Sequence, residues 1–194
     1  MIAIVERGNT RTKLCLLSFS GIIVDVKYWN EFILSSIIDE IPDITEHIRY
    51  CNTSQGLETV PKHWIEIGVD SKWPFELNYS SRIGVDRLAL VLGAKYVCGK
   101  LPILVVSCGT CLTFSFLDSN NIFQGGAISP GLSMRLKAMN SFTGSLPLLS
   151  PKIESGFSQK TFNTESSMQK GAYEGMIYEI CLLYTSPSPR DSDS

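Results

Sequence analysis

The sequence predicts an α/β fold containing two related strand–turn units, on three observations. Two short apolar runs, Ile2–Val5 and Pro102–Val106, each lead into a glycine-bearing turn and read as buried strands. Stretches with helical spacing, Arg82–Tyr96 and the residues after Thr164, follow them. The two runs also overlay. Ile2-Ala3-Ile4-Val5-Glu6-Arg7-Gly8 matches Ile103-Leu104-Val105-Val106-Ser107-Cys108-Gly109 at a constant offset of 101 residues, and each is followed by a threonine-bearing turn and another strand.

Length and composition bound the rest. The chain has 194 residues, 44% hydrophobic and 19% charged, enough for one medium or two small domains with a real core. The net charge is −2 with no basic face or tail, so nucleic acid is not an expected partner. No apolar run reaches the roughly 18 residues of a membrane helix, and Met1–Val5 turns polar too soon for a secretion signal, so no membrane partner and a cytoplasmic location are expected. The six cysteines are dispersed, as expected of a reduced protein and not of a disulfide framework.

The elements follow in order. Ile2–Val5 enters the turn Glu6-Arg7-Gly8-Asn9-Thr10, Lys13–Ser18 returns as a strand, and Gly21–Tyr28 reads as a third. Asn30–Glu40 has helical spacing at Phe32, Ile33, Ile37 and Ile38, and Pro42 ends it. His47–Val69 reads as short strands and loops. A helix opens at Asp86 with apolar positions at Leu88, Ala89, Leu92, Gly93 and Tyr96. Pro102–Val106 runs into Ser107-Cys108-Gly109-Thr110, and Cys111–Leu117 continues as a strand turning at Asp118–Asn121. Leu132–Asn140 reads as a helix preceded by the glycine-rich Phe123–Gly131. Thr164 reads as the N-cap of a helix with Met168, Ala172, Met176, Ile177 and Ile180 on one side. From Tyr184 the apolar pattern stops, so disorder is expected, and the Ser/Pro-rich tail resembles translated vector sequence. The expected divisions are residues 1–98, 99–183 and the tail 184–194.

Chemistry concentrates in a few places. A glycine after a buried strand lets backbone approach a phosphate, and neighbouring hydroxyls and amides add hydrogen bonds, so two facing turns would make a clamp. Two plain hairpins satisfy the same pattern. Gly84-Val85-Asp86-Arg87 puts a carboxylate at a helix N-terminus, where the anion is favoured, beside an arginine suited to carboxylates. A structural cap with an exposed arginine has the same spacing. Phe123–Gly131 suits an anion or a nucleotide at a helix start, or is a glycine turn. Cys108-Gly109-Thr110-Cys111 has C-x-x-C spacing but leads into a strand, against a redox or zinc role, and His47 and His63 have no evident partners. There is no P-loop and no nucleophile elbow.

Together these stretches resemble the type III pantothenate kinases. Glu6 to Lys13 (Glu6, Arg7, Gly8, Asn9, Thr10, Arg11, Thr12, Lys13) resembles the family's D-x-G-N-[TS]-x-x-K, Gly84 to Arg87 its G-x-D-R, and Ser107 to Thr110 its D-x-G-T. Phe123–Leu132 resembles F-x-G-G-x-I-x-P-G-L, and Thr143-Gly144-Ser145-Leu146-Pro147 and Thr164 fall in family-like places. The resemblance spans Ile2 to Ile180. It implies an actin-like ATPase fold of duplicated ribonuclease H-like units, the second incomplete. It implies ATP and Mg²⁺ at Glu6–Lys13, a further ATP contact at Thr110, and pantothenate at Gly84, Val85, Asp86 and Arg87. Asp86 would accept the proton of the attacking hydroxyl, and Thr164 would reach the substrate of the other subunit of a homodimer. K⁺ or NH₄⁺ would sit at Ser107.

The chain departs from the pattern in four places. Glu6 and Ser107 stand where the family has Asp. Leu77 holds the position of a substrate-contacting tyrosine, with Tyr79 two residues away. The family continues with a strand and a T-G-G-type loop after the Thr164 helix, so a C-terminally truncated copy is expected. The alternatives are a catalytically inactive relative that binds ligand or acts as a transcription accessory factor, and an unrelated α/β binding protein.

Overall fold

The structure, a computed structural model, describes residues 1–54, 59–79, 82–152 and 160–185. It is an α/β protein with two mixed sheets, and the chain divides into two compact units. The first is Met1–Ile103 with Ser115–Gly125, and the second is Leu104–Phe114 with Gly126–Ser194.

The first unit is organised by β1 (Ile2–Arg7). It pairs antiparallel with β2 (Thr12–Leu17), which pairs antiparallel with β3 (Ile23–Trp29). On its other side β1 pairs parallel with β4 (His47–Asn52), and β4 with β5 (Ile65–Glu66), giving the order β3-β2-β1-β4-β5. Alternation sorts the side chains. Ala3, Val5, Leu14, Leu16 and Tyr50 point to one face and form a core with Ile37 and Trp64. Glu6, Lys13 and Cys51 alternate with them and occupy the opposite face.

The helix expected over Asn30–Glu40 is confined to α1 (Leu34–Ile38), because Ile33 is extended at φ −117°, ψ 99°. Ile37 is fully buried, while Ile33 and Ile38 are exposed. The stretch expected as short strands and loops supplies β4, a central six-residue strand. Downstream, β6 (Glu76–Leu77) leads to α2 (Val85–Cys98), which packs against β4 and ends at Gly99 in the left-handed region. The buried face of α2 is Val85, Arg87, Leu88 and Val91. The expected apolar positions Ala89, Leu92, Gly93 and Tyr96 are exposed apart from Leu88, with Tyr96 at 90%. Lys95 fastens the far end of α2, donating to the Pro74 carbonyl at 2.7 Å and to Asn121 Oδ1 at 2.5 Å.

The second sheet starts with β7 (Ile103–Cys108), which pairs with β8 (Cys111–Leu117). The ends of β7 lie 101 residues after those of β1, matching the sequence offset. In the first unit the end of β8 pairs antiparallel with β9 (Ile122–Gly125), and β9 pairs parallel with β6. Fully buried Phe123 sits there between the rings of Phe75 and Tyr79. In the second unit the start of β8 pairs antiparallel with β10 (Ile128–Pro130). There α3 (Leu132–Ser141) packs on α4 (Thr164–Thr185) through Leu136, Met168 and Ala172. The side chain of Gln169, also buried, donates to the Ser150 carbonyl at 2.7 Å and accepts from Lys152 N at 3.2 Å. α4 runs to Thr185, so Tyr184 and Thr185 are helical, and 186–194 lie outside the described residues.

An ion pair between Arg135 and Glu179 ties α3 to α4. The Glu179 carboxyl is held below its usual range, chiefly by a hydrogen bond from Ser129. Partial burial opposes the shift, and Arg135 adds to it. A depressed carboxylate stabilises the fold above its unfolded pKa, about 4.3, and that contribution is lost as pH falls through the folded value. Glu179→Gln should therefore lower stability at pH 7 by about 1 kcal/mol, the upper end for a partly exposed pair. In denaturant titrations the difference from wild type should shrink as the pH drops below about 4.

Candidate functional site

Between β1 and β2 the chain reverses at Gly8–Arg11, closed by the Gly8 N–H to the Arg11 carbonyl at 2.9 Å. A Cβ on Gly8 would lie 3.0 Å from that carbonyl oxygen, so the turn accepts a side chain there only by shifting backbone. Residues Arg7 to Thr12 line an open polar cavity of about 590 Å³ together with Asn30, Glu31, Phe32 and Ser54. The Arg7 guanidinium lies over the Phe32 ring at 4.9 Å. Thr53 donates from its N–H and hydroxyl to the Arg7 carbonyl at 2.9 and 3.2 Å, fixing the cavity wall at the end of β4.

Behind this turn a row of side chains crosses three strands. Lys13 on β2 donates to Glu6 Oε2 on β1 at 2.8 Å. Glu6 stands in register with Cys51 on β4, a buried thiol. The thiol is pushed up to about 12, chiefly by burial, then by the nearby charges of Glu6 and Asp86, with Lys13 opposing. The elements that carry residues 6 and 86 are linked through β4, which pairs with β1 and packs against α2, although 80 positions separate the two residues in the chain. Asp86 lies in the first turn of α2. Its carboxylate folds back over Gly84, and a Cβ on Gly84 would overlap Asp86 Oδ1.

Arg87, next along α2, is only 4% exposed, which corrects the reading of an exposed arginine beside a cap. Its Nε donates to Ser115 Oγ at 3.1 Å, and its guanidinium lies 5.8 Å from the ring centroids of both Tyr79 and Phe123. The Tyr79 ring covers Gly125, which at φ +86° with a ring carbon 2.7 Å from its would-be Cβ has to be glycine.

The other expected site residues belong to the second unit. Ser107 is half-buried near the end of β7, and Thr110 is exposed in the turn before β8. That turn touches Gly131, the residue before α3: Gly131 N donates to the Thr110 carbonyl at 3.1 Å, and a Cβ on Gly131 would fall 2.6 Å from the same oxygen. Thr164 is exposed and is the first helical residue of α4, not its cap. The cap is Asn163, whose Oδ1 accepts from Ser166 N at 2.8 Å. Cys108 and Cys111 are free thiols, and among the described residues no three His, Cys, Asp or Glu side chains cluster as metal ligands. Sequence reasoning missed Cys51, Ser115 and the Tyr79–Phe123 pair as neighbours of the site. Only the strand register brings Cys51 there.

The family model for type III pantothenate kinases matches residues 29–185. A type III pantothenate kinase of Flavobacterium psychrophilum is 31% identical over 192 residues, spanning 93% of this chain and 78% of the relative. One from Bacteroides fragilis is 33% identical over 198 residues, spanning 93% and 77%. Among solved structures, a conserved Campylobacter jejuni protein described as a Baf family transcriptional activator aligns with a TM-score of 0.60 at 21% identity. It covers 92% of this chain and 77% of that one, a likeness of fold.

The two glycines beside the site should respond differently to a methyl group. Gly131→Ala meets backbone oxygens and should cost about 3 kcal/mol. Gly84→Ala meets only the end of the Asp86 side chain and should cost less than about 1 kcal/mol. Denaturant midpoints of the two variants check this.

Proposed function

This chain belongs to the type III pantothenate kinase family, and from that premise we propose that it transfers the γ-phosphoryl group of ATP to the primary hydroxyl of pantothenate. The product is 4′-phosphopantothenate, at the first step of coenzyme A synthesis. The observation that carries the reading is the packing of α2, with Asp86 in its first turn, on β4, the strand in register with Glu6 of the Glu6–Lys13 pair, because it makes neighbours of the two elements whose motifs the reaction needs.

In this reading the turn from Arg7 to Thr12 and the ammonium of Lys13 hold the ATP phosphates, and Thr110 is a further ATP contact. Gly84, Val85, Asp86 and Arg87 form the pantothenate site. Arg87 works from a fixed position, since Ser115 and two aromatic rings restrain it. As the hydroxyl oxygen attacks the γ-phosphorus, the bond from that phosphorus to the β,γ-bridging oxygen breaks, ADP leaves, and Asp86 accepts the hydroxyl proton. A carboxylate at a helix start is a weak base, which suffices where positioning and charge dominate.

Glu6 keeps a part-exposed carboxylate beside the turn, an oxygen donor that fits Mg²⁺, which needs few protein ligands when phosphates supply the others. Bound there, the ion would neutralise phosphate charge. Ser107 offers only an uncharged hydroxyl at the monovalent-cation position and does not fit a K⁺ site of the family's carboxylate type. The homodimer, the reach of Thr164 to a neighbouring substrate and a cytoplasmic location complete the proposal. No helix among the described residues is long and apolar enough to cross a membrane.

The test is formation of 4′-phosphopantothenate from ATP and pantothenate, with and without K⁺. Turnover should be K⁺-independent. It should fall by about a hundredfold or more in Asp86→Asn, the usual scale for losing a general base. Gly84→Ala should lower kcat without unfolding the protein, because the methyl group displaces the Asp86 carboxylate. A folded wild-type protein with no turnover would overturn the kinase reading in favour of an inactive, ligand-binding or regulatory relative.

A further inference from the structure

We infer that Ser115 is a positioning residue for the carboxylate end of the substrate: through its hydrogen bond to Arg87 it sets the plane in which the guanidinium meets that group. The inference rests on the reading of Gly84 to Arg87 as the pantothenate site, and it names the end of the ligand that Arg87 takes. Its own support is geometric, and every residue in it belongs to the first unit. Arg87 Nε donates to Ser115 Oγ at 3.1 Å. Both side chains are buried, Arg87 at 4% and Ser115 at 2% exposure, so bulk water does not compete for the contact. The other buried side chains of β8, Leu112, Phe114 and Leu117, are apolar. Packing alone would be served at position 115 by another small apolar residue, and the hydroxyl is the part that the arginine uses.

That hydroxyl does what the aromatic neighbours cannot. A ring attracts a cation across its face without selecting an edge of the guanidinium. Tyr79 and Phe123, each with its centroid 5.8 Å away, therefore hold the charge in place but leave its rotation open. A hydrogen bond at Nε fixes that rotation. A carboxylate is taken bidentately only in the plane of the guanidinium, through two parallel N–H groups. The orientation of the plane thus decides whether the contact is two aligned bonds or one. Consecutive helix residues diverge by about 100°, so Asp86 and Arg87 address different parts of one ligand. With Asp86 serving the hydroxyl, the charged end of pantothenate falls to Arg87.

The experiment compares wild type with Ser115→Ala and Ser115→Cys on two compounds, pantothenate and the alcohol analogue in which CH₂OH replaces its carboxylate. It reads kcat and KM for each, pantothenate binding by calorimetry, and the thermal midpoint. Alanine should raise KM and Kd for pantothenate about tenfold, the scale of one hydrogen bond to a charged group. It should leave kcat and the ATP KM within about threefold of wild type, because the contact acts on the ground state and transition state alike. Cysteine fills the same space with a weak acceptor and should match alanine. In both variants the preference for pantothenate over the analogue should fall about tenfold. Folded variants with a wild-type pantothenate KM overturn the role of Ser115 and leave the kinase reading intact. Cysteine at wild-type level beside a weakened alanine, or equal losses on both compounds that follow the thermal midpoint, overturns it in favour of plain packing. Wild type that binds pantothenate without turnover, more weakly in both variants, overturns the kinase reading and keeps this one. Wild type that neither binds nor turns over pantothenate overturns both.

Discussion

Parallel pairing of β1 with β4 is the constraint on which the rest of the first unit depends. β1 is bonded on both sides, to β2 and to β4, and its residues are divided by alternation between a packed core and a polar row. Ala3 and Val5, both at 0% exposure, lock the register from the core side. A slip of one residue would carry them onto the polar face and drive Glu6 into the cluster of Leu14, Tyr50 and Trp64. The core therefore fixes which residue stands beside Glu6, and that residue is Cys51. Position 6 acquires its neighbours through packing that involves no polar group.

The same logic of enforced approach operates at the glycines. Gly84 has an ordinary extended backbone at φ −67° and is not needed for its torsions. Its lack of a side chain lets the Asp86 carboxylate curl back over the helix start. Gly131 likewise has φ −71°, and its importance is the carbonyl of Thr110 above it. Gly125 differs: a left-handed φ and the Tyr79 ring both demand glycine. Glycine-rich motifs thus combine separate physical requirements that spacing alone does not distinguish.

That distinction explains what the sequence made legible. The strand–turn–strand at residues 2–18, the helix opening at Gly84–Asp86 and the offset of the two buried strands were readable because each is local: apolar runs, turn glycines and helix spacing lie within a few residues. β4 was hidden because its partner β1 lies over 40 residues earlier and its sequence, His47-Ile48-Arg49-Tyr50-Cys51-Asn52, lacks a clean apolar alternation. The buried face of α2 was misjudged because Arg87 is inside, where an aromatic pair and Ser115 receive it, while Leu92 and Tyr96 are outside. The cap of α4 was misplaced by one residue because Asn163 and Thr164 are both good caps, and only Asn163 has its side-chain oxygen on Ser166 N. The motif residues were found, but which of them touch depends on strand register and on a helix packing across a sheet.

Charge shapes what the site can do. Glu6 on β1 pairs with the Lys13 ammonium on β2, and Asp86 places a second carboxylate at the start of α2. The Arg87 guanidinium is held against Ser115, Tyr79 and Phe123. Lys13 already serves Glu6, across neighbouring strands at 2.8 Å. Nucleotide phosphates brought to this turn would meet the guanidiniums of Arg7 and Arg11, which line the cavity, and unit charges a few ångströms apart interact by about 4 kcal/mol near a protein surface. The positive charge of the turn therefore comes chiefly from these two arginines, because Glu6 already engages the Lys13 ammonium.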